Sequence, residues 1–117
     1  MTRYLLDTNT AADCIFRRRG IHDRVKSARI AGHKIGISIP VLGELFAGVE
    51  YSASRERNLE ILLRNVRLFR LWPFTQESAK TYGRLFSEMR RKGRMIQQID
   101  LQTAAIALEL SDCTVVR

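Results

Sequence analysis

The chain has 117 residues with 20 Lys+Arg against 12 Asp+Glu, a formal charge of +8 and a pI near 10.3. That length suits one domain, residues 1–117, and a 45% hydrophobic content argues against wholesale disorder. No apolar run approaches the roughly 20 residues of a membrane-spanning helix, and Asp7 interrupts the start too early for a secretory leader, so a small basic cytoplasmic domain with no membrane contact is expected.

Tyr4-Leu5-Leu6 is a short apolar run ending at Asp7 and reads as a buried strand. Thr8, Asn9 and Thr10 suit a helix start, and Ala11, Ala12, Ile15 and Phe16 give that helix an apolar face up to Arg17-Arg18-Arg19-Gly20. Ile21, Val25 and Ala28 mark a second helix closing near Gly32, and Lys34-Ile35-Gly36-Ile37-Ser38 a second strand. Pro40 fits the first turn of the next helix, which carries Val41, Leu45 and Gly48 at helical spacing. Another helix starts near Ser54, with Leu59, Leu62 and Leu63 inward. Val66 to Leu71 reads as a third strand, stopped by Pro73. Thr75 caps a long helix striped with Ala79, Tyr82, Leu85, Phe86 and Met89 and ended by Gly93. The last helix is expected from Asp100, as its N-cap, to Ser111, before a strand at Thr114-Val115-Val116. Alternation of strands and helices in one short chain implies an α/β domain with a mainly parallel central sheet flanked by helices. Sites in such sheets form beyond the carboxyl ends of the strands.

Three acids stand where such a site would form. Asp7 directly follows the first strand, where it either caps the next helix or enters the crevice; Asn9 can orient it or cap in its place. Glu44 shares a helical face with Val41, Leu45 and Gly48, a close-packed apolar setting where a lone carboxylate costs several kcal/mol unless paired with an arginine or bound to a cation. Asp100 opens a helix whose Ala104, Ala105 and Ala107 permit close approach to the sheet. Acids entering one crevice from three elements describe a site for a hard cation, Mg²⁺ or Mn²⁺, which takes oxygen ligands and keeps waters. Such an ion activates water and offsets phosphate charge, which reconciles an acidic cluster with a basic surface. Cys14 and Cys113 lie far apart with no histidine at a zinc spacing and read as reduced, half-buried thiols.

Leu5-Leu6-Asp7-Thr8-Asn9, then Ile37-Ser38-Ile39-Pro40-Val41-Leu42-Gly43-Glu44-Leu45 with Gly48, then Asp100-Leu101 with Ala104-Ala105-Ile106-Ala107-Leu108 resemble the PIN domain, and within it the VapC-type toxins of bacterial toxin–antitoxin pairs. The resemblance runs in order from Arg3 to Val116. It implies a Mg²⁺- or Mn²⁺-dependent endoribonuclease, a homodimer, inhibited by a cognate VapB-type antitoxin threaded through the active-site groove. Asp7, Glu44 and Asp100 match the metal-binding, catalytic acids; Thr8 or Asn9 matches the residue supporting the first acid, and Ser38 the small polar residue closing the second strand. The implied chemistry is hydrolysis of RNA by a metal-activated water. The family carries a further acid in a loop after the last strand, whereas Val115-Val116 here is followed by Arg117, and Asp112 lies at the opposite strand end. The expected form is therefore a PIN-like domain without its C-terminal loop and edge strand, with a non-cleaving module that binds RNA or antitoxin as the alternative. Gln97-Gln98-Ile99 also departs from the family's usual approach to the third acid.

Arg17, Arg18 and Arg19 follow the helix that leaves Asp7 and either take RNA phosphates or form a solvated surface. Arg90, Arg91, Lys92 and Arg94 offset a helix dipole. Trp72 and Phe74 stack on bases or pack inside, and Phe46 and Tyr51 suit a dimer or antitoxin contact. A DNA-binding protein using its basic helices is a third reading, one that leaves Glu44 unexplained.

Overall fold

A computed structural model describes residues 2–117. In chain order they form β1 (Arg3–Leu6), α1 (Thr8–Ile15), α2 (Ile21–Ile30), β2 (Lys34–Ser38), α3 (Ile39–Tyr51), α4 (Arg55–Val66), β3 (Arg70–Trp72), α5 (Gln76–Arg91), α6 (Gln98–Glu109) and β4 (Cys113–Val116). The strands lie in the order β3-β2-β1-β4, and every pairing is parallel. Parallel neighbours need crossover connections, which place helices over the faces of the sheet. This is the α/β arrangement the alternation of elements implied.

Strand periodicity divides the core in two. Tyr4 pairs with Ile35 and Leu6 with Val116, and side chains one residue along turn to the other face. Leu6, Ile35 and Ile37 join Ala11 and Ile15 of α1, Val25 of α2, Val41 and Leu45 of α3 and Leu62 of α4 in one buried cluster. Leu5 and Ser38, out of phase with them, face the opposite side, where α6 buries Leu101, Ala105 and Ile106. Gly36 is required between β2 and β3: a Cβ there would run into the Arg70 carbonyl and the Trp72 ring. Trp72 thus packs across β2, which settles it as a structural side chain.

Two boundaries differ from expectation. The third strand is Arg70–Trp72 rather than Val66 to Leu71, because α4 stays helical through Val66, whose side chain packs against the core. The turn that follows is held by Arg29, which donates to the Leu68 carbonyl and lies 5.2 Å over the Phe69 ring. The last helix begins at Gln98, with Gln97 at the cap position, so Asp100 is the helix's third residue and not its N-cap. The Leu101 N–H donates to the Gln97 carbonyl at 3.0 Å, closing a first turn that already includes Asp100. At the other end of the sheet the Asp112 carbonyl accepts from Arg3 N–H at 2.8 Å, which places Asp112 at the amino edge as expected. Among the described residues no helix is long and apolar enough to cross a membrane, and both cysteines are free, Cys14 buried and Cys113 half-buried.

Candidate functional site

Asp7 stands at the carboxyl end of β1 in extended backbone and caps α1, its Oδ1 accepting from the Thr10 N–H at 2.8 Å. Its own N–H donates to the Val116 carbonyl at 2.9 Å, so the ends of β1 and β4 meet there. The cap uses one carboxylate oxygen and leaves the other for a ligand. The cap reading of Asp7 therefore holds, and the residue also lines a cavity of about 890 Å³. Asn9, exposed, Arg19, Arg24, His33 and Arg117 line the same cavity.

Glu44 is half-buried rather than enclosed. Val41 and Leu45 of its face are buried, but Gly48 is exposed, and a Cβ built there would meet open space. The close-packed setting expected around Glu44 is thus a cavity rim. Glu44 lines a second cavity of about 390 Å³ between α1, α3 and α4, together with Thr8, Phe16, Arg18 and Asn58. Among the described residues no arginine stands within ion-pair distance of Glu44, so the salt-bridge explanation of this acid fails. Thr8, next to Asp7 in the chain, carries the one buried side-chain polar atom without a hydrogen-bond partner among the described residues, Oγ1.

Asp100 is exposed on the first turn of α6. Its placement depends on Ser38, which ends β2 fully buried and caps α3 by accepting from the Val41 N–H at 3.2 Å. Across the sheet, Ser38 Oγ lies 3.0 Å from Thr103 Oγ1, a hydrogen bond that ties α6 to the carboxyl edge. Thr103 is one helical turn beyond Asp100 and so shares its side of α6. Sequence reasoning passed over Thr103. Its signal was a hydroxyl among alanines on the helix face that buries Leu101, Ala105 and Ile106.

The fold therefore brings Asp7, Thr8 and Glu44 to neighbouring cavities, and hangs Asp100 from the same sheet edge through Thr103 and Ser38. Among the described residues no three of His, Cys, Asp and Glu approach closely enough to enclose an ion. The donor set nevertheless suits a hard cation that keeps part of its water shell. It comprises three carboxylates without ion pairs among the described residues and the unpartnered buried Thr8 hydroxyl, which follows Asp7 in the chain and lines the cavity of Glu44.

Arg17 and Arg19 adopt left-handed backbone, φ 55° and 57°, just before Gly20 at 68°. This strained turn splays the three arginines. Arg18 lines the cavity with Glu44 and Arg19 the cavity with Asp7, while both reach Asp13, at 3.2 and 3.9 Å. Arg17 is exposed. Phe74 packs edge-on to Tyr82, and Tyr82 to Phe86, with centroids 6.0 Å apart in both pairs, far from the arginine turn in sequence and on the α5 side.

A family model described as PIN domain matches residues 4–116. Ribonuclease VapC2 of Rickettsia felis is 31% identical over 108 residues, spanning 90% of this chain and 78% of the relative. The tRNA(fMet)-specific endonuclease VapC of Salmonella typhimurium is 28% identical over 108 residues, spanning 92% and 80%. The crystal structure of VapBC2 from Rickettsia felis, bound to a DNA fragment from their promoter, contains a chain that superposes with a TM-score of 0.89 at 27% identity, covering 99% of this chain and 86% of that one.

Proposed function

From the premise that this chain belongs to the PIN-domain family, in its VapC-type branch, we propose that it is a metal-dependent endoribonuclease, the cytoplasmic toxin of a toxin–antitoxin pair. The observation that carries the reading is the position of the Asp7 and Glu44 carboxylates, which line two cavities and have no ion pairs among the described residues. The buried Thr8 hydroxyl, also unpartnered among these residues, is next to Asp7 and lines the cavity of Glu44. Asp7, Glu44 and Asp100 would hold Mg²⁺ or Mn²⁺, which when bound supplies charge neutralisation at a phosphate and activation of a water.

The chain's own residues do the rest. The Thr10 N–H fixes one Asp7 oxygen and so orients the other. Ser38 and Thr103 set the approach of α6 and with it Asp100. Arg18 and Arg19, braced by Asp13, offer guanidinium groups to RNA phosphates at the two cavity mouths, where they answer the repulsion between phosphates and the acids. The family relationship, with solved neighbours that are VapBC complexes, supports a VapB-type antitoxin as partner, and a homodimer is part of the same proposal. Exposed Phe86, Met95 and Ile96 supply apolar surface for association.

The test is cleavage of single-stranded and structured RNA with Mg²⁺, with a chelator, and with Asp7→Asn. Cleavage is expected only for the wild type with the ion. Turnover that survives both chelation and substitution overturns the mechanism. Tight RNA binding without any turnover overturns the enzyme reading.

A further inference from the structure

We propose that the cavity of about 390 Å³ between α1, α3 and α4 is a subsite for one unstacked nucleobase, belonging to the nucleotide whose phosphate lies at the acids; this rests on the ribonuclease reading above. The size falls within the range of sites that enclose a small organic group. Its wall includes the Phe16 ring, and the Arg18 guanidinium carbon sits 5.7 Å from that ring's centroid. An aromatic face and a guanidinium plane are the two surfaces on which proteins stack single-stranded bases. The edge of a stacked base needs donors and acceptors, and the cavity has both. The Asn58 carboxamide supplies each kind, and Thr8 Oγ1 is a buried hydroxyl with no partner among the described residues. A hydroxyl buried without a partner is unfavourable by about 1–3 kcal/mol, so an arriving base edge that bonds it gains what the free protein lacks.

Position argues for a base rather than a second phosphate. The lining carries one arginine and one carboxylate, Arg18 and Glu44, and so no excess of positive charge that would select an anion over a neutral base. Thr8 adjoins Asp7, which lines the larger cavity, so the two chambers are one residue apart along α1's start. A strand whose phosphate sits between them presents its ribose and base to the smaller one. Gly48 keeps its mouth open, since a side chain beginning there would meet nothing within 4 Å beyond its chain neighbours and its own helix backbone, among the described residues.

The experiment uses short single-stranded RNAs carrying one abasic nucleotide, moved along the strand. Binding is measured on Asp7→Asn protein and cleavage on the wild type with Mg²⁺. One position is expected to lose about tenfold in affinity, in the range of base–aromatic stacking. Adding Asn58→Ala, on the rim of α4, or Phe16→Leu, should weaken the intact strand toward the abasic one and shrink the abasic penalty below about twofold. A melting curve for each variant separates this from unfolding, and Asn58→Ala serves should Phe16→Leu prove unstable. Equal binding of intact and abasic strands at every position overturns the subsite, as it would if a peptide segment were the true occupant. So does a penalty that persists unchanged in Asn58→Ala. Base-dependent binding in a protein that never cuts supports the subsite while overturning the hydrolytic reading, so the two fail separately.

Discussion

The two faces of the sheet are built by different means, and the candidate site uses both. On one, α1 to α4 press a continuous apolar cluster onto Leu6, Ile35 and Ile37. On the other, α5 has Ser78 and Thr81 as its buried residues, and Thr81 donates a hydrogen bond to Glu109 of α6. Asp7 and Glu44 belong to the apolar face and are held by the packing of α1 and α3. Asp100 belongs to the other face, where α6 buries Leu101, Ala105 and Ile106 and adds the Thr103–Ser38 hydroxyl pair. Close packing fixes position strongly, whereas a hydroxyl pair fixes orientation at small net energy. Two acids thus sit half-buried at the edge of the apolar packing, while the third is exposed on a helix that apolar burial positions and the hydroxyl pair orients.

The largest expected effect separates activity from stability across that divide. Asp7→Asn and Asp100→Asn should each lower RNA cleavage by at least about 100-fold, beyond the loss typical of removing a residue that only supports a metal ligand. Stability should split them. Asp7→Ala removes a helix cap and is expected to cost about 1 kcal/mol in urea titration. Asp100→Ala, at an exposed position, should stay within about 0.5 kcal/mol. Equal destabilisation by both would erase the distinction between the faces.

Next comes the packing itself. Leu62, fully buried under the apolar cluster, should lose about 2–5 kcal/mol on truncation to alanine. Thr81→Val, which keeps volume and removes a hydroxyl from the polar face, should lose only about 1 kcal/mol by the same denaturation assay. Across the sheet, Ser38→Ala and Thr103→Val should each destabilise the fold. Their double variant should show a coupling of about 0.5–3 kcal/mol, because each single change strands a buried hydroxyl that the pair satisfies. A strictly additive cycle would mean the hydroxyl pair contributes nothing to α6.

Much of this was legible in the sequence, and the reasons differ by residue. Asp7 was readable because a short apolar strand ends just before it, and strand ends locate sites in parallel sheets, whereas Ser38 was singled out only through the family resemblance. The burial of Val41 and Leu45 followed from helical spacing, but that spacing could not show that the face opens into a cavity at Gly48. The start of α6 was misplaced because Asp100 is a good cap, while Gln97, a weak one, occupies that position. The strand at Arg70–Trp72 was set too early because Val66 to Leu71 is apolar enough for either a strand or a helix end. The Arg29 contact that decides it comes from residues far away in sequence. Thr103 escaped for the same reason, since its partner is 65 residues off.

Chemistry at the thiols offers a gentler probe of the same divide. Burial pushes Cys14, inside the apolar cluster, above the ordinary thiol range, with Arg29 and Arg17 opposing weakly. Cys113 on β4 is also raised by burial but is half-exposed. An alkylating reagent at mildly alkaline pH should therefore label Cys113 first, and Cys14 at the rate of opening of the α1–α2 face, as read by mass spectrometry. Early labelling of Cys14 would show that the cluster opens more readily than β4's edge.

The smallest effect belongs to the exposed link at the end of α3. Arg55 donates from Nε and a terminal nitrogen to the two Glu50 oxygens, at 2.6 and 2.9 Å, across the turn that joins α3 to α4. The Arg55 hydrogen bonds hold Glu50 below its ordinary value of 4.5. A carboxylate lowered in the folded state stabilises it above that ordinary value, and the contribution fades as pH falls through the depressed one. Melting temperature followed downward from neutral pH should therefore fall slightly more steeply for the wild type than for Glu50→Gln, and the two should converge in acid. Because both side chains are solvent-exposed, the difference should also shrink when salt is added. A salt-insensitive difference would mean the pair is sheltered, and that α3 and α4 close over the cavity between them more tightly than their surfaces imply.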